Sequence, residues 1–240
     1  MPERPELYKF NLFNQPMHLE EFWGTSLIFL TYVVLDPETA GLRRSQGDDI
    51  ISLAGVRIRD GEVRRDDGFD GQINPGRAIP KGSIKFHGIT DDMLSGAPTV
   101  PDVLRRIRDY VGDAVLVAHN AAFDMKFLKL KETDAGVAFD HVVLDSLLLS
   151  VFPHNDTARD TLDTTAERFD GETEGRHTAR GDSLVTAGVF FAMLGMLASS
   201  SACTKRSRLR TTCSPCAKCS NSCEAAQLTG IASEQYGASV

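Results

Sequence analysis

The chain has 240 residues, 42% of them hydrophobic and 25% charged, which suits one globular α/β domain with tails and excludes two full-sized domains. The longest early apolar run, 26–35, is about half of a membrane span, and no basic leader precedes it, so we expect a cytoplasmic protein with no membrane partner. Residues 1–200 hold 21 Lys/Arg against 31 Asp/Glu, and the resulting charge of −10 argues against a broad basic nucleic-acid surface. The negative charge is still compatible with an enzyme whose carboxylates bind metal cations, since those cations can contact the phosphate of a substrate.

The first half of the chain has the pattern of a strand meander. A β-branched and aromatic run over 27–35 is typical of a buried strand. Residues 50–59 alternate in polarity, Asp60 and Gly61 form a strong hairpin signal, and 62–74 is the returning strand.

Helical and extended patterns alternate in the second half of the chain. Thr99 and Pro101 open the first of these helices. Helices are predicted over 99–111, 120–131, 160–169 and 178–197, and short strands over 114–118 and 142–144. A meander followed by alternating strands and helices predicts an α/β fold with a mixed sheet covered by helices.

Two acids, Asp36 and Glu38, end the first predicted strand. Residues two apart on a strand point to the same face, about 7 Å apart along the chain. Two carboxylates so placed repel each other unless a positive charge lies between them, and a hard divalent cation is the natural partner. The alternative is a solvated strand end with turn-forming acids.

Three further candidates lie at predicted helix starts. Asp124 follows a short strand and lies about one turn into its helix, where the helix dipole alone also favours a carboxylate. If Thr178 is the N-cap of the last helix, His177 lies in the preceding loop and Asp182 lies one turn inside. Capping is the alternative role for both of these residues.

Taken in order, three motifs resemble those of the DEDDh 3'–5' exonucleases, and in particular the epsilon proofreading subunit of bacterial DNA polymerase III and its relatives. The motifs are Asp-x-Glu at 36–38, His-Asn-x-x-Phe-Asp at 119–124 and His-x4-Asp at 177–182. Ile-Asn-Pro-Gly at 73–76 and His-Gly-Ile-Thr at 87–90 are typical of the same family. The resemblance implies an RNase H-like fold, with a five-stranded mixed sheet flanked by helices.

The resemblance also implies a two-metal mechanism, with two Mg²⁺ or Mn²⁺ ions about 4 Å apart as cofactors. Asp36 would bridge both ions, Glu38 and Asp182 would complete the shell of the first, and Asp124 would hold the second. His177 would take a proton from the attacking water as general base. The implied reaction is hydrolysis of phosphodiester bonds at DNA 3' ends, with release of nucleoside 5'-monophosphates.

Substrate contacts are expected at the segment after the first acids and at three other positions. These residues are Thr39, Ala40, Gly41, Leu42, His87, Asn120 and Phe123. For Leu42 and Phe123 a place in the core is the alternative. The expected partners are a single-stranded or frayed DNA 3' end and a DNA polymerase or another replication or repair protein. An RNA or oligoribonucleotide exonuclease, or an impaired binding module, are the alternative functions.

One residue departs from the family pattern, because Pro37 stands between the two acids. Proline has no backbone N–H and fixes φ near −65°. If the sheet needs that donor, the pair of acids is tilted and turnover is slow. Replacement of Pro37 by Thr is then predicted to raise turnover.

The predicted organisation is an N-terminal extension over 1–25, an exonuclease domain over 26–198 and a Cys/Ser-rich tail over 199–240. The tail has C-x2-C-x2-C-x3-C spacing, which matches a ferredoxin-type iron–sulfur run and also permits zinc. Glu224 stands where a proline normally follows the fourth cysteine. A disordered tail and a frameshifted C-terminus are the other interpretations, and the abrupt change of composition at Ser199 favours the frameshift. The four cysteines are Cys213, Cys216, Cys219 and Cys223.

Overall fold

The computed structural model describes residue 22 and residues 25–41, 49–154 and 161–209, without the side chains of 151–154 and 197–209. Over these residues it contains one five-stranded sheet and seven α-helices. The strands are β1 (Tyr32–Thr39), β2 (Ile50–Arg59), β3 (Glu62–Gln72), β4 (Val115–Ala118) and β5 (Val143–Asp145). The helices are α1 (Lys81–His87), α2 (Asp91–Leu94), α3 (Val100–Val111), α4 (Ala121–Ala135), α5 (Ser146–His154), α6 (Leu162–Arg168) and α7 (Ala179–Leu209).

The sheet is mixed, in the order β3-β2-β1-β4-β5. β1, β2 and β3 form the predicted antiparallel meander, whereas β4 and β5 run parallel to β1. β1 is therefore the central strand, and its first four residues are all buried. This arrangement confirms the predicted α/β fold, a mixed sheet flanked by helices.

The core lies on both faces of β1, because successive side chains of a strand point to opposite faces. Val33 and Leu35 pack with α3 and α4 on one face. Tyr32 and Val34 pack with α7 on the other, where the ring of Tyr32 meets Phe190 edge to face at 5.0 Å between centroids. By the same alternation, the two acids farther along β1, Asp36 and Glu38, lie on the face that packs against α7.

The start of the first predicted strand is wrong. Leu27–Phe29 form a short 3₁₀ helix, and β1 begins only at Tyr32. The Tyr32 hydroxyl donates to the Leu27 carbonyl oxygen at 2.8 Å, and Phe29 is 60% exposed. The apolar run therefore divides between a surface turn and a buried strand.

The pattern missed three helices and ended two others too early, one of which is α4, predicted to end at residue 131 and continuing to Ala135. α1 and α2 have seven and four residues and no side-chain cap at their first turn, so they carry little local signal. α5 follows β5 directly, and Asp145 caps it by accepting from the backbone N–H groups of Leu147 and Leu148. The last helix, predicted to end at residue 197, continues to Leu209.

Pro37 removes no hydrogen bond from the sheet. The Thr31 carbonyl oxygen accepts from the N–H of Val115, so odd-numbered residues of β1 turn their backbone groups toward β4. The pairing of β1 with β4 ends at Val34, three residues before the proline. The missing N–H of Pro37 would point beyond the end of β4, and the ladder with β2 continues past this residue.

Several predictions from the sequence concern residues that the structure does not describe. Most of the predicted extension over 1–25, Leu42, and the four-cysteine run over 213–223 lie outside the described residues. The predicted domain boundaries therefore stay predictions. Within the described part of the chain, none of the helices has both the length and the apolar character needed to cross a bilayer.

Candidate active site

Three carboxylates meet where β1 ends and α7 begins. Tyr32 and Val34 direct their side chains toward α7, and Asp36 and Glu38 continue the same face of the strand. Asp182 lies in the first turn of α7. One ligand oxygen from each of Asp36, Glu38 and Asp182 lies within 4.8 Å of the others, which is the spacing of a site that can hold a cation.

The fourth acid, Asp124, reaches the site from the first turn of α4 and is only 5% exposed. Its charge is the strongest electrostatic influence that raises the pKa of Asp36. Two hydrogen bonds hold the start of α4 in place, since the backbone N–H groups of Asn120 and Ala121 donate to the Asp145 carboxylate at 3.1 and 3.0 Å. Asp145 thus caps both α4 and α5.

The site is electrostatically unfavourable without a cation. Burial, followed by the charges of Asp124, Asp182 and Glu38, holds the pKa of Asp36 well above its usual value. Burial and the charge of Asp182 raise the pKa of Glu38 from 4.5 to about 7. Carboxylates in such surroundings become ionised when a divalent cation binds, and an all-oxygen set of ligands suits Mg²⁺ or Mn²⁺.

One basic side chain enters this acidic cluster. The guanidinium of Arg176 forms an ion pair with Asp163 of α6, with 2.5 Å between Nε and Oδ1, and a second ion pair with Asp182. The Arg176 side chain is only 14% exposed. Sequence reasoning missed this residue, because one arginine in a polar loop has no periodicity or motif to mark it.

His177 lies in the loop before α7, as predicted. Its φ is +65°, and its backbone N–H donates to Oδ1 of Asp182 at 3.0 Å. Thr178 is the predicted N-cap, since its hydroxyl oxygen accepts from the N–H of Gly181 at 3.0 Å. The imidazole of His177 is exposed and forms no hydrogen bond with the described residues.

The segment after the acids is closely packed. The Thr39 hydroxyl donates to the carbonyl oxygen of Gly41 at 3.0 Å. The methyl group of Ala40 is fully buried, and its carbonyl oxygen accepts from the Ser83 hydroxyl at 2.5 Å. The backbone N–H of Ala40 donates to the carbonyl oxygen of Asp49 at 2.9 Å, so both of its backbone polar groups have partners. Ala40 packs in a small cluster with Ile51, Ile79 and Leu94.

His87 is a neutral, buried histidine at the end of α1. Its Nδ1 accepts from the backbone N–H of Ile89 at 3.0 Å, and burial lowers the pKa of its imidazole. The proton of the neutral ring therefore resides on Nε2. This Nε2 is buried and has no hydrogen-bond partner among the described residues, which is rare for a donor inside a protein.

The two remaining candidates flank the start of α4. Asn120 is exposed and adopts the left-handed conformation, with φ of +65°. Phe123 is half-buried, packs against the core and meets Phe127 edge to face at 5.1 Å between centroids. Phe123 is thus a partly exposed residue at the edge of the core.

Comparison with known proteins finds one family model, the RNase T-type model described as Exonuclease, which matches residues 33–190. A DNA polymerase III subunit epsilon-like protein of Rhodobacter capsulatus is 44% identical, over 72% of this chain and 25% of that protein. The PolC-type DNA polymerase III of Bacillus subtilis is 41% identical, over 68% of this chain and 11% of that protein. The chain therefore matches a quarter or less of the length of these relatives.

Solved structures share the fold. Exonuclease X in complex with 5' overhanging duplex DNA has a TM-score of 0.56 at 22% identity, covering 69% of this chain and 92% of that one. The nuclease domain of 3'hExo, a DEDDh family member bound to rAMP, has a TM-score of 0.63 at 18% identity, covering 72% and 95%. The predicted RNase H-like fold is confirmed, and so is the resemblance that the three motifs carry.

Proposed function

This chain belongs to the RNase T-type exonuclease family, and from that premise we propose that it hydrolyses phosphodiester bonds at DNA 3' ends and releases nucleoside 5'-monophosphates. The observation that carries the proposal is the convergence of Asp36, Glu38 and Asp182 within 4.8 Å, on a site that the buried Asp124 also influences. Phosphodiester hydrolysis needs a concentrated positive charge beside the phosphate, and these acids are suited to hold it.

We propose that two Mg²⁺ or Mn²⁺ ions are the cofactors. Asp36, Glu38 and Asp182 would hold one ion, and Asp36 and Asp124 would hold the other. The raised pKa values of Asp36 and Glu38 support this assignment, because four crowded acids need more positive charge than Arg176 supplies. When bound, such ions lower the pKa of a coordinated water and stabilise charge on a leaving oxygen.

In this proposal His177 accepts the proton of the attacking water at its imidazole. An exposed imidazole without a hydrogen-bond partner in the described chain is available for that step. The hydrogen bond from its backbone N–H to Asp182 ties the position of the base to that of an acid in the cation site.

We propose that the terminal nucleotide contacts the 39–41 segment, together with Asn120 and the half-buried Phe123. The Nε2–H of His87, which has no hydrogen-bond partner among the residues that the structure describes, would donate to the same nucleotide. Leu42 keeps its predicted role in this contact. Because the acidic charge of the chain disfavours a broad basic surface, the enzyme would hold only the end of a strand.

DNA is the proposed substrate because the relatives named above are DNA polymerase III proteins and Exonuclease X was solved with DNA. A polymerase, or another replication or repair protein, is the proposed partner, in proofreading or repair in the cytoplasm. RNA is the second candidate, and the rAMP bound to 3'hExo favours it. Against an impaired module, Pro37 leaves the ladder with β2 intact.

The test is digestion of 5'-labelled DNA and RNA oligonucleotides with Mg²⁺. A ladder that shortens from the 3' end, with 5'-monophosphates as products, is expected for the unsubstituted protein. Asp124→Asn should lose nearly all activity, whereas Asp140→Asn, an equal change at an exposed surface ion pair, should keep it. Equal activity of the Asp124→Asn protein would assign the cleavage to another site or to a contaminant.

A further inference from the structure

We propose that Arg176 is a positioning residue of the cation site: held by Asp163, it orients the carboxylate of Asp182 and thereby strengthens the binding of a divalent cation. The inference rests on the proposed function, since it concerns the same acids. It adds a residue that lies outside the motifs that carry the family resemblance.

The contacts of Asp182 show how the orientation arises. Its Oδ1 forms the ion pair with the guanidinium of Arg176 and accepts a hydrogen bond from the backbone N–H of His177. Both lie in the loop that leads into α7, so this oxygen is turned toward the protein. Oδ2, the other oxygen, has no hydrogen bond or ion pair within the described part of the chain, and it would be the one to ligate a cation.

Arg176 is itself held from the opposite side. Its Nε lies 2.5 Å from Oδ1 of Asp163, in the first turn of α6. The N-terminus of α6 is capped, because Thr161 and Thr164 form a reciprocal capping box. A guanidinium can contact two carboxylates with separate nitrogens in one plane, whereas a lysine ammonium acts as a point charge. Arg176 thus links a capped helix to a cation ligand.

Two effects of Arg176 on cation binding have opposite signs. Its charge repels a cation, so removal of the charge would tighten binding. Its contacts orient Asp182, so removal of the contacts would weaken binding. The charge of Arg176 is already balanced by the carboxylate of Asp163, which pairs with its Nε at 2.5 Å. We therefore expect the loss of orientation to dominate.

The test measures Mn²⁺ binding to the full chain by calorimetry, with no nucleic acid present. Arg176→Met should weaken Mn²⁺ binding by about 10- to 100-fold, the usual effect of removing a partner of a ligating carboxylate. Arg65→Met is the matched control, with the same charge change at an exposed ion pair with Glu172, and should bind Mn²⁺ within about twofold of the unsubstituted protein. Tighter or unchanged binding by Arg176→Met would overturn the proposal.

Two conservative variants separate orientation from charge. Arg176→Lys keeps the charge and should still bind Mn²⁺ at least about fivefold more weakly, because it cannot bridge both acids. Asp163→Asn removes the ion pair that holds Arg176 and should also weaken Mn²⁺ binding. In a protein that already carries Arg176→Met, the same change should have little further effect. If Arg176→Lys and Asp163→Asn both bind Mn²⁺ as tightly as the unsubstituted protein, the positioning role is overturned. This test remains valid if the Arg176→Met protein fails to fold.

Activity assays distinguish the failure of this inference from that of the proposed function. In the Arg176 variants, the Mn²⁺ concentration for half-maximal cleavage should rise while the KM for the oligonucleotide stays unchanged, and saturating Mn²⁺ should restore much of kcat. If the unsubstituted protein binds no Mn²⁺, the proposed function fails as well. If it binds Mn²⁺ and cleaves, but the variants bind equally well, only the role of Arg176 fails.

Discussion

Gly181, in the first turn of α7, packs so closely on Gly175 that a β-carbon at position 181 would overlap the carbonyl oxygen of Gly175. The contact is one-sided, because a β-carbon on Gly175 would lie at an ordinary van der Waals distance, 3.4 Å, from Cα of Gly181. Gly175 also has a φ of +78°, which suits glycine. This contact fixes the short loop that carries Arg176 and His177 against the helix that carries Asp182.

Gly181→Ala is therefore predicted to damage activity far more than stability. Overpacking costs about 1–3 kcal/mol of unfolding free energy, whereas a displacement of about 1 Å at catalytic groups lowers rates about 100-fold. Unfolding by denaturant and the kcat of cleavage measure the two effects. Gly188→Ala on the same helix, where an added β-carbon meets nothing within 4 Å, is the control and should retain both. A fully active Gly181→Ala protein would show that the loop tolerates displacement.

The metal-free protein is predicted to lose stability as pH rises from about 5 to about 8. The pKa of Glu38 is raised to about 7 in the folded chain, against a usual value of 4.5. Between these values the folded state binds more protons than the unfolded state, so the free energy of unfolding falls as pH rises through this window. The raised pKa of Asp36 acts in the same direction.

Thermal unfolding in EDTA and in Mn²⁺, at both ends of this range, measures the effect. The cation should raise Tm more at the higher pH, where the carboxylates are ready to bind it. Glu38→Gln should flatten the pH dependence in EDTA and reduce the increase in Tm with Mn²⁺. An increase in Tm that is larger at the lower pH would contradict the assignment of these acids.

Asp145→Asn is predicted to lower both stability and activity. The Asp145 carboxylate is 7% exposed and accepts from four backbone N–H groups at the starts of α4 and α5. An amide keeps one acceptor oxygen and adds donors that face other donors, which costs about 1–3 kcal/mol. Because α4 carries Asp124, cleavage should fall as well. Asp140→Asn at the surface, compared by denaturant unfolding, should change the free energy by less than about 1 kcal/mol.

Pro37→Thr is predicted to leave turnover nearly unchanged, within about twofold, because the proline removes no bond from the ladder. This reverses the increase that the sequence suggested. Steady-state kinetics on one DNA oligonucleotide, with the unsubstituted protein alongside, decides between the two. A kcat several times higher in the Thr protein would mean that Pro37 does hold the acids away from their best geometry.

Much of the fold was predictable because local patterns encode it. The meander of β1, β2 and β3 follows from alternation and one hairpin signal, and α3 from apolar spacing between two clear end signals. α1, α2 and α5 were not found, since short helices that rely on neighbouring segments leave weak patterns. The end of α7 was also missed, because the apolar periodicity fades before the helix does.

The sequence by itself determined which acids share a face of β1 and which acid lies in the first turn of α7, because strand and helix periodicity are local properties. It also carried the motifs that identify the family. Only the tertiary structure decided that this face of β1 meets α7, that Asp145 caps two helices, and that Arg176 joins Asp163 to Asp182. These relationships join residues that are distant along the chain, and strand order and helix packing, rather than local preference, bring them into contact.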